Sequence, residues 1–471
     1  MSEEITTTSD SKPVEWFESE KTDKKNSRLS AAIFGLICFI PVMAAIAYGA
    51  VDFWALGFMT IFVGAAAVIW IAESFFQKEF RFNTNPLQIP LLGLILIGLI
   101  QLLPFRSSNI PSDLLSVPAS NALSLDPYST RFAIIQLIIY FIFFAAASVF
   151  INNLKRLRKI VSVIIIFASI MAFFGILQSL ANLEAIYGLR LSPQAQPFSS
   201  FINRHHFAAF MEMTIGLTLA LLFGKALRKD KNLLLIIAAV MMGIGLILTS
   251  SRGGFLSLLG VIVFVITANL LKKENGEKAE KTKNYRRKFA FIGGGIALLL
   301  VLFGAVILLG GDEMLLRGVG LQNSQTDLSS GRAHFWSIAL KMFSDYPILG
   351  TGLNSFGAVF PQYDTRNGIF RVEQAHNDYL QMLSEAGISG FICIAAFIFL
   401  LFKKGLQTIV KATDSFRGNT AIGALAGCFG ILLHSFFDFP LRTPSNAFFF
   451  LILAVLATAS IGYPKIYRKE R

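Results

Sequence analysis

NLLLIIAAVMMGIGLILTSSRGGFLSLLGVIVFVITANLL, residues 232–271, holds two apolar runs, 232–249 and 254–271, joined at Ser250–Ser251–Arg252–Gly253, and Arg252 is its one charge. Each run approaches the ~20 residues that a helix needs to cross a bilayer. The join is so short that the runs must lie side by side as a hairpin. Lipid offers no partners to backbone N–H and C=O groups, so a span is a helix or part of a closed barrel. Runs this long and uniform are not barrel strands.

The pattern repeats outward from this hairpin. Apolar stretches of crossing length lie near 30–50, 54–73, 87–104, 131–151, 160–181 and 205–224 on one side, and near 289–310, 387–402, 420–437 and 446–463 on the other. The expected fold is an all-α polytopic membrane protein with about twelve transmembrane helices. The run at 387–402 is short and is expected to continue a helix that begins outside the membrane. Composition agrees: of 471 residues, 54% are hydrophobic and only 15% charged, where a soluble domain carries nearer a quarter charged. Cys38, Cys393 and Cys428 all fall in apolar spans and read as small buried hydrophobes, with no C-x-x-C pair.

The net charge of +13 does not indicate nucleic acid, because the cations sit in short loops between spans. Lys155–Arg156–Arg158–Lys159, Lys225–Arg228–Lys229–Lys231, the run from Lys272 to Lys288, Lys403–Lys404 and the tail Lys465–Arg471 share one parity. The positive-inside rule places them, and both termini, in the cytoplasm. The expected organisation is a flexible cytoplasmic tail (1–29), N-terminal transmembrane helices (30–310), a long outer loop (311–386) and C-terminal transmembrane helices (387–471). Cations of the opposite parity are Arg106, Arg131, Arg190, Arg204, Arg252, Arg317, Arg332, Lys341, Arg366, Arg371 and Arg442, all arginine but one. Arginine's planar fork of donors suits phosphate and carboxylate oxygens, where lysine is a hydrated point charge. An anionic substrate at the outer face follows.

The loop 311–386 is long enough to build a site. Ser329–Ser330 is a plausible helix start, and Arg332–Tyr346 places Phe335, Ala339, Met342, Phe343 and Tyr346 on one helical face, with Trp336 as an interfacial anchor. Pro347 and Gly350–Thr351–Gly352 then force a turn, and a second helical pattern opens near His376, with Gly387 as a break or a continuation.

All five histidines, His205, His206, His334, His376 and His434, fall at or beyond the outer boundary. Imidazole is the side chain whose ordinary pKa suits proton transfer near neutrality. His376, in Gln374–Ala375–His376–Asn377–Asp378, is either a general base or an interfacial residue capping a helix. Arg252 and Arg204 each read as an anion contact or as a headgroup-bound cation. Arginines converging from different helices, with Arg332 among them, would suit a diphosphate. His205 and His206 diverge on a helix and point to packing or hydrogen bonding. Glu212 is a carboxylate within a span that needs a partner. Gly293–Gly294–Gly295 reads as helix packing. No D-x-D, H-E-x-x-H or dense His/Asp/Glu cluster announces a metal.

Three segments in order, Ser251–Arg252–Gly253–Gly254–Phe255, Gly331–Arg332 with Phe335–Trp336 and the Pro347–Asn354 turn, and His376–Asn377–Asp378–Tyr379–Leu380, resemble the O-antigen ligase and polymerase superfamily. The resemblance covers about residues 235–400. It implies a GT-C-like membrane fold with a partly helical periplasmic loop and an inverting, metal-independent glycosyltransferase without a cofactor. Such an enzyme sits in the bacterial inner membrane with a periplasmic site, and takes a glycan from an undecaprenyl diphosphate carrier. The essential arginines would be Arg252 and Arg332, and the histidine would be His376; Arg204, from its own position at the start of an outer span, is a further diphosphate-binding candidate. Asn377, Asp378 and His334 are secondary candidates. The acceptor would be lipid A–core in a ligase or a second carrier-linked glycan in a polymerase, and membrane lipids would surround both. A lipid-linked glycan transporter is the alternative from another class, which internal repeats and mid-membrane charges would mark.

Overall fold

A computed structural model describes residues 28–106, 120–181, 183, 185–192, 195–227, 229–276, 331–366 and 372–461. The expected span at 289–310, the tail to residue 27, Gly293–Gly295, Ser329–Ser330, Arg317 and Arg371 lie outside the described residues. The described helices are α1 (Arg28–Ile46), α2 (Phe53–Gln77), α3 (Gln88–Gln101), α4 (Pro127–Phe150), α5 (Leu154–Leu180), α6 (Arg204–Phe223), α7 (Lys229–Leu248), α8 (Arg252–Gly276), α9 (Arg332–Asp345), α10 (Phe356–Tyr363), α11 (Asp378–Lys411), α12 (Ser415–His434) and α13 (Pro444–Thr458). Nine of them are long and apolar enough to cross a membrane, and α3 and α13 are shorter apolar helices. The chain is a polytopic helical membrane protein, as its hydropathy predicts.

Two helices form the centre. In α6 and α12, 83% and 89% of the spanning window is buried, against 28% in α2 and α7. Small residues let the central pair touch backbone to backbone. A Cβ on Gly423 would fall 2.6 Å from Leu217 Cα, and one on Gly427 would fall 2.4 Å from the Met213 carbonyl oxygen. Close approach of this kind gives helices in lipid their packing contacts, since lipid tails remove the hydrophobic drive between them. The outer helices turn Phe58, Ile61, Val68 and Ile71 of α2 and Leu233, Ile237 and Val240 of α7 outward, which suits a lipid solvent.

Side chains reach across each end of the bundle. At one end, Arg417 is fully buried and donates to the carbonyls of Leu456 (2.7 Å) and Ala459 (2.5 Å). There, too, Arg156 donates to the Phe150 carbonyl and to Ser30. Both arginines thus satisfy carbonyls that helix ends leave without intrahelical donors. At the opposite end, Tyr187 donates to the Ile46 carbonyl, Arg190 pairs with Asp52, and Leu125 N–H donates to the Thr351 carbonyl.

The long loop builds a small core of its own from Ile338, Ala339, Met342, Phe356, Val359, Phe360 and Ala375. α9 therefore packs against α10 and the approach to α11. Ile338, rather than Phe343 and Tyr346, completes its buried face. The turn after α9 is fastened to α11. Thr351 and Gly352 N–H groups donate to the Ser384 and Glu385 carbonyls, and Gln101 of α3 binds the Leu349 and Glu385 carbonyls and the Leu353 N–H. The Glu385 carboxylate accepts from Asn354 N–H (2.9 Å), Gln381 (3.0 Å) and the Arg442 guanidinium (2.6 Å). α11 runs through Gly387 with a kink there, at φ 61°. A Cβ at that point would lie 2.4 Å from the Ile348 carbonyl oxygen.

Gly350 has φ +69°, and a Cβ on it would fall 2.3 Å from the Glu385 backbone carbon. Neither clash can be relieved by a flexible side chain. Gly350→Ala is expected to lower stability by about 2–4 kcal/mol, measured as thermal unfolding in detergent, with Ala358→Gly as an exposed-helix comparison of about 1 kcal/mol.

Candidate active site

The end of the bundle closed by the long loop gathers His376, Asp438, Arg332, Arg252, His205 and His206. His376 precedes α11 with φ 52°, in the left-handed region, where histidine is tolerated better than most residues. Its neighbours fix that conformation. Ala375 N–H donates to Gln381 Oε1 (2.9 Å), and Asn377 caps α11 by accepting from the N–H groups of Tyr379 and Leu380. The Asn377 amide also donates to the Phe436 carbonyl (3.1 Å). Asp378 accepts from the Ser435 hydroxyl and the Leu441 N–H. Asn377 and Asp378 thus fasten the 435–441 connector to the start of α11.

This connector delivers Asp438. Its Oδ1 lies 3.1 Å from His376 Nδ1 and also accepts from Phe439 N–H. The Asp438 side chain is 2% exposed and the imidazole 33%, so the carboxylate is buried while the ring is reachable. Burial pushes the carboxyl up, but the His376 hydrogen bond, with His206 and His205 nearby, outweighs it and holds Asp438 well below the usual carboxylate range. An ionised Asp438 requires N–H on His376 Nδ1 and leaves Nε2 as the basic nitrogen. The ring is held between Phe335, stacked at 6.1 Å, and the edge of Phe439 at 4.9 Å. Asp438 Oδ2 is buried without a hydrogen-bond partner, and the Arg332 guanidinium lies 4.0 Å from it.

Arg252 arrives from the hairpin. Ser250 takes a left-handed φ of 52°, and Ser251 Oγ accepts from Gly254 N–H, so α8 begins at Arg252. The two glycines let this first turn sit tightly. A Cβ on Gly254 would meet Ala208 Cβ at 2.7 Å, and one on Gly253 would meet the His434 ring at 2.9 Å. Arg252 is exposed and lies within electrostatic range of Arg332. His205 bonds Ser251 Oγ through Nδ1 (2.9 Å) and lies within range of Asp438, Arg204 and Arg332.

The structure brings Arg252, Arg332 and His376 to one place, and Arg204 opens α6 within electrostatic range of His205. It does not join His334 to them, since its Nε2 binds Asp364 Oδ1 at 2.8 Å. Neither Asn377 nor Asp378 orients the imidazole; Asp438 does. Sequence reading passed over Asp438, although it is the only acidic residue between 415 and 461. A lone carboxylate in an outer connector among outward histidines was the available signal. His206 is structural, bonding Thr443 Oγ1 (2.6 Å) and, through its carbonyl, Asn446.

Glu212 finds its partner in His434, at 3.0 Å, and both are buried beneath the first turn of α8. Removing one member strands the other in a medium without water, which costs about 3–5 kcal/mol, whereas replacing both with apolar groups costs far less. Glu212→Leu is therefore expected to unfold much earlier in detergent than the Glu212→Leu/His434→Leu double variant. A double-variant loss equal to the sum of the Glu212→Leu and His434→Leu losses would mean that the pair contributes no coupling.

Among the described residues, no group of three or more His, Cys, Asp or Glu is placed to hold a metal ion. Residues 237–395 match the sequence model of the family described as O-Antigen ligase. No curated protein matches the chain. The matched segment takes in Arg252, Arg332 and His376 and stops before Asp438. Over residues 237–395 the chain is similar to the O-antigen ligase and polymerase superfamily of membrane enzymes.

Proposed function

We propose that the protein is an O-antigen ligase-type glycosyltransferase. It would move a glycan from an undecaprenyl diphosphate carrier to a hydroxyl of lipid A–core, at the periplasmic face of the inner membrane. The observation that carries this reading is the His376–Asp438 pair with two arginines beside it. A base and a cationic anchor are what displacement of a diphosphate from a sugar requires.

In this mechanism Arg252 and Arg332 hold the carrier diphosphate, with Arg204 at its edge. An acceptor oxygen attacks the anomeric carbon from the face opposite the diphosphate. Its proton passes to His376 Nε2 as the new carbon–oxygen bond forms. The bond to the diphosphate breaks, and its electron pair leaves with the carrier, so the anomeric centre is inverted. Asp438 keeps the imidazole in the tautomer with Nε2 basic and stabilises the imidazolium. The arginines offset the charge that grows on the leaving oxygen. Phe335 and Phe439 restrict the ring to one orientation.

The test is transfer by purified protein in detergent, given carrier-linked oligosaccharide with lipid A–core, and separately without it. Glycosylated lipid A–core is the expected product. His376→Ala should lower the rate by about 10²–10⁴, and Arg252→Ala or Arg332→Ala by about 10²–10³. Asp438→Asn should lower kcat by up to about 10⁴ through the wrong tautomer, with folding unchanged by circular dichroism. Elongated carrier-linked glycan with untouched lipid A–core would reassign the protein to polymerisation. A fully active His376→Ala would remove it as the base.

A further inference from the structure

A second polar site lies at the opposite end of the bundle from His376. A cavity of about 140 Å³ is lined by the Asn83–Pro86 connector between α2 and α3, Ser148 of α4, Lys404 of α11 and the Thr458–Ser460 end of α13. We propose that it binds a phosphate group, carried by a lipid headgroup or free in solution.

Three observations support this. Lys404 is the only charged residue in the lining, and no carboxylate faces it there. The walls are rich in hydroxyls, from Thr84, Ser148, Thr458 and Ser460. Ser148 is 6% exposed, and its hydroxyl has no hydrogen-bond partner, although a buried hydroxyl without one is costly. A helical serine commonly bonds the carbonyl one turn back; this one does not, and it lines the cavity instead.

The remaining polar groups fix the walls. The Asn83 amide donates to the Ser148 carbonyl (2.9 Å), and the Asn85 amide donates to Thr458 Oγ1 (3.0 Å). Thr458 in turn donates to the Ala454 carbonyl (2.7 Å). The connector is thereby tied to α4 and α13, so the cavity is bounded by positioned groups rather than by a loose loop.

Size and charge narrow the ligand. A cavity of this volume holds about four or five waters, far less than the 300–1,000 Å³ of sites for drug-sized molecules. It therefore admits one phosphate, while the remainder of a larger molecule would have to lie outside it. Hydroxyl donors of Thr84, Ser148 and Ser460 and an ammonium match the phosphate oxygens, whereas the Thr458 proton is held by the Ala454 carbonyl; lysine binds phosphate as a point charge. The lysine-rich connectors lie at this end, and anionic lipid headgroups gather against such segments.

The full-length protein in detergent provides two measurements, compared among wild type, Lys404→Gln, Lys404→Arg and Ser148→Val. In the first, native mass spectrometry counts phosphatidylglycerol retained at matched lipid load. In the second, calorimetry follows titration with inorganic phosphate. Loss of one retained lipid in Lys404→Gln and Ser148→Val, with retention in Lys404→Arg, assigns a headgroup site. An increase in the phosphate Kd of about tenfold or more in the same two variants, without lipid loss, assigns a free-phosphate site. Lipid counts and phosphate titrations that are the same in all four proteins overturn the proposal. Neither measurement involves glycan transfer, so the outcome is independent of the function proposed above.

Discussion

A polar group in a helix bundle solvated by lipid must find its partner inside the protein, and this constraint organises both ends of the molecule. Asp438 is its sharpest case: a carboxylate almost wholly withdrawn from solvent, kept ionised because His376, His205 and His206 surround it. An isolated charge buried this deeply would lose several kcal/mol of solvation. It persists because the His376 Nδ1 and the Phe439 N–H replace the water on one of its oxygens. The same arrangement that makes Asp438 tolerable also selects the tautomer of His376. Stability and chemistry are therefore one problem at this position.

Positioning depends on backbone conformations that most residues avoid. His376 and Ser250 both sit in the left-handed region, one just before α11 and the other two residues before α8. Each reverses the chain so that a candidate site side chain returns over the end of the bundle. Such conformations cost of order 1–3 kcal/mol and survive only where surroundings over-determine them. Here Asn377, Gln381 and Ser251 supply the restraint through side-chain hydrogen bonds to backbone. The turn at Gly350–Asn354 works alike, with Glu385 and Gln101 replacing the partners that a strand or helix would have provided.

Spans were the most legible part of the sequence, because lipid solvation imposes a length and composition on every crossing helix. The boundaries of α5, α6 and α7 lie within six residues of the hydropathy runs at each end. The short run at 387–402 continues outward to Asp378, because Gly387 bends the helix without ending it. Arg252, Arg332 and His376 were legible as chemistry-bearing types in distinctive local patterns. Their proximity was not, since it depends on contacts between residues far apart in sequence. Asp438 illustrates the limit, sitting 62 residues from its imidazole in a connector with no motif of its own. Asp378, a secondary candidate close to His376 in sequence, is aimed by its place at a helix N-terminus at Ser435 and the 441 N–H.

The two ends of the bundle use arginine for different purposes, and this bears on the ligand. Arg417 and Arg156 direct their guanidinium donors at carbonyls and a serine, where they close helix ends. Arg252 and Arg332 instead lie within electrostatic range of each other, an arrangement that like charges resist. Asp438 carries one negative charge, with its Oδ2 4.0 Å from Arg332, beyond direct hydrogen-bond distance. That carboxylate also serves His376. An anion with several oxygens would bring further negative charge to the two guanidinium groups and offer acceptors that match their forked donors. On the proposed function, binding of the carrier's diphosphate would reduce the repulsion between the two arginines and so turn an unfavourable term of the unliganded protein into affinity.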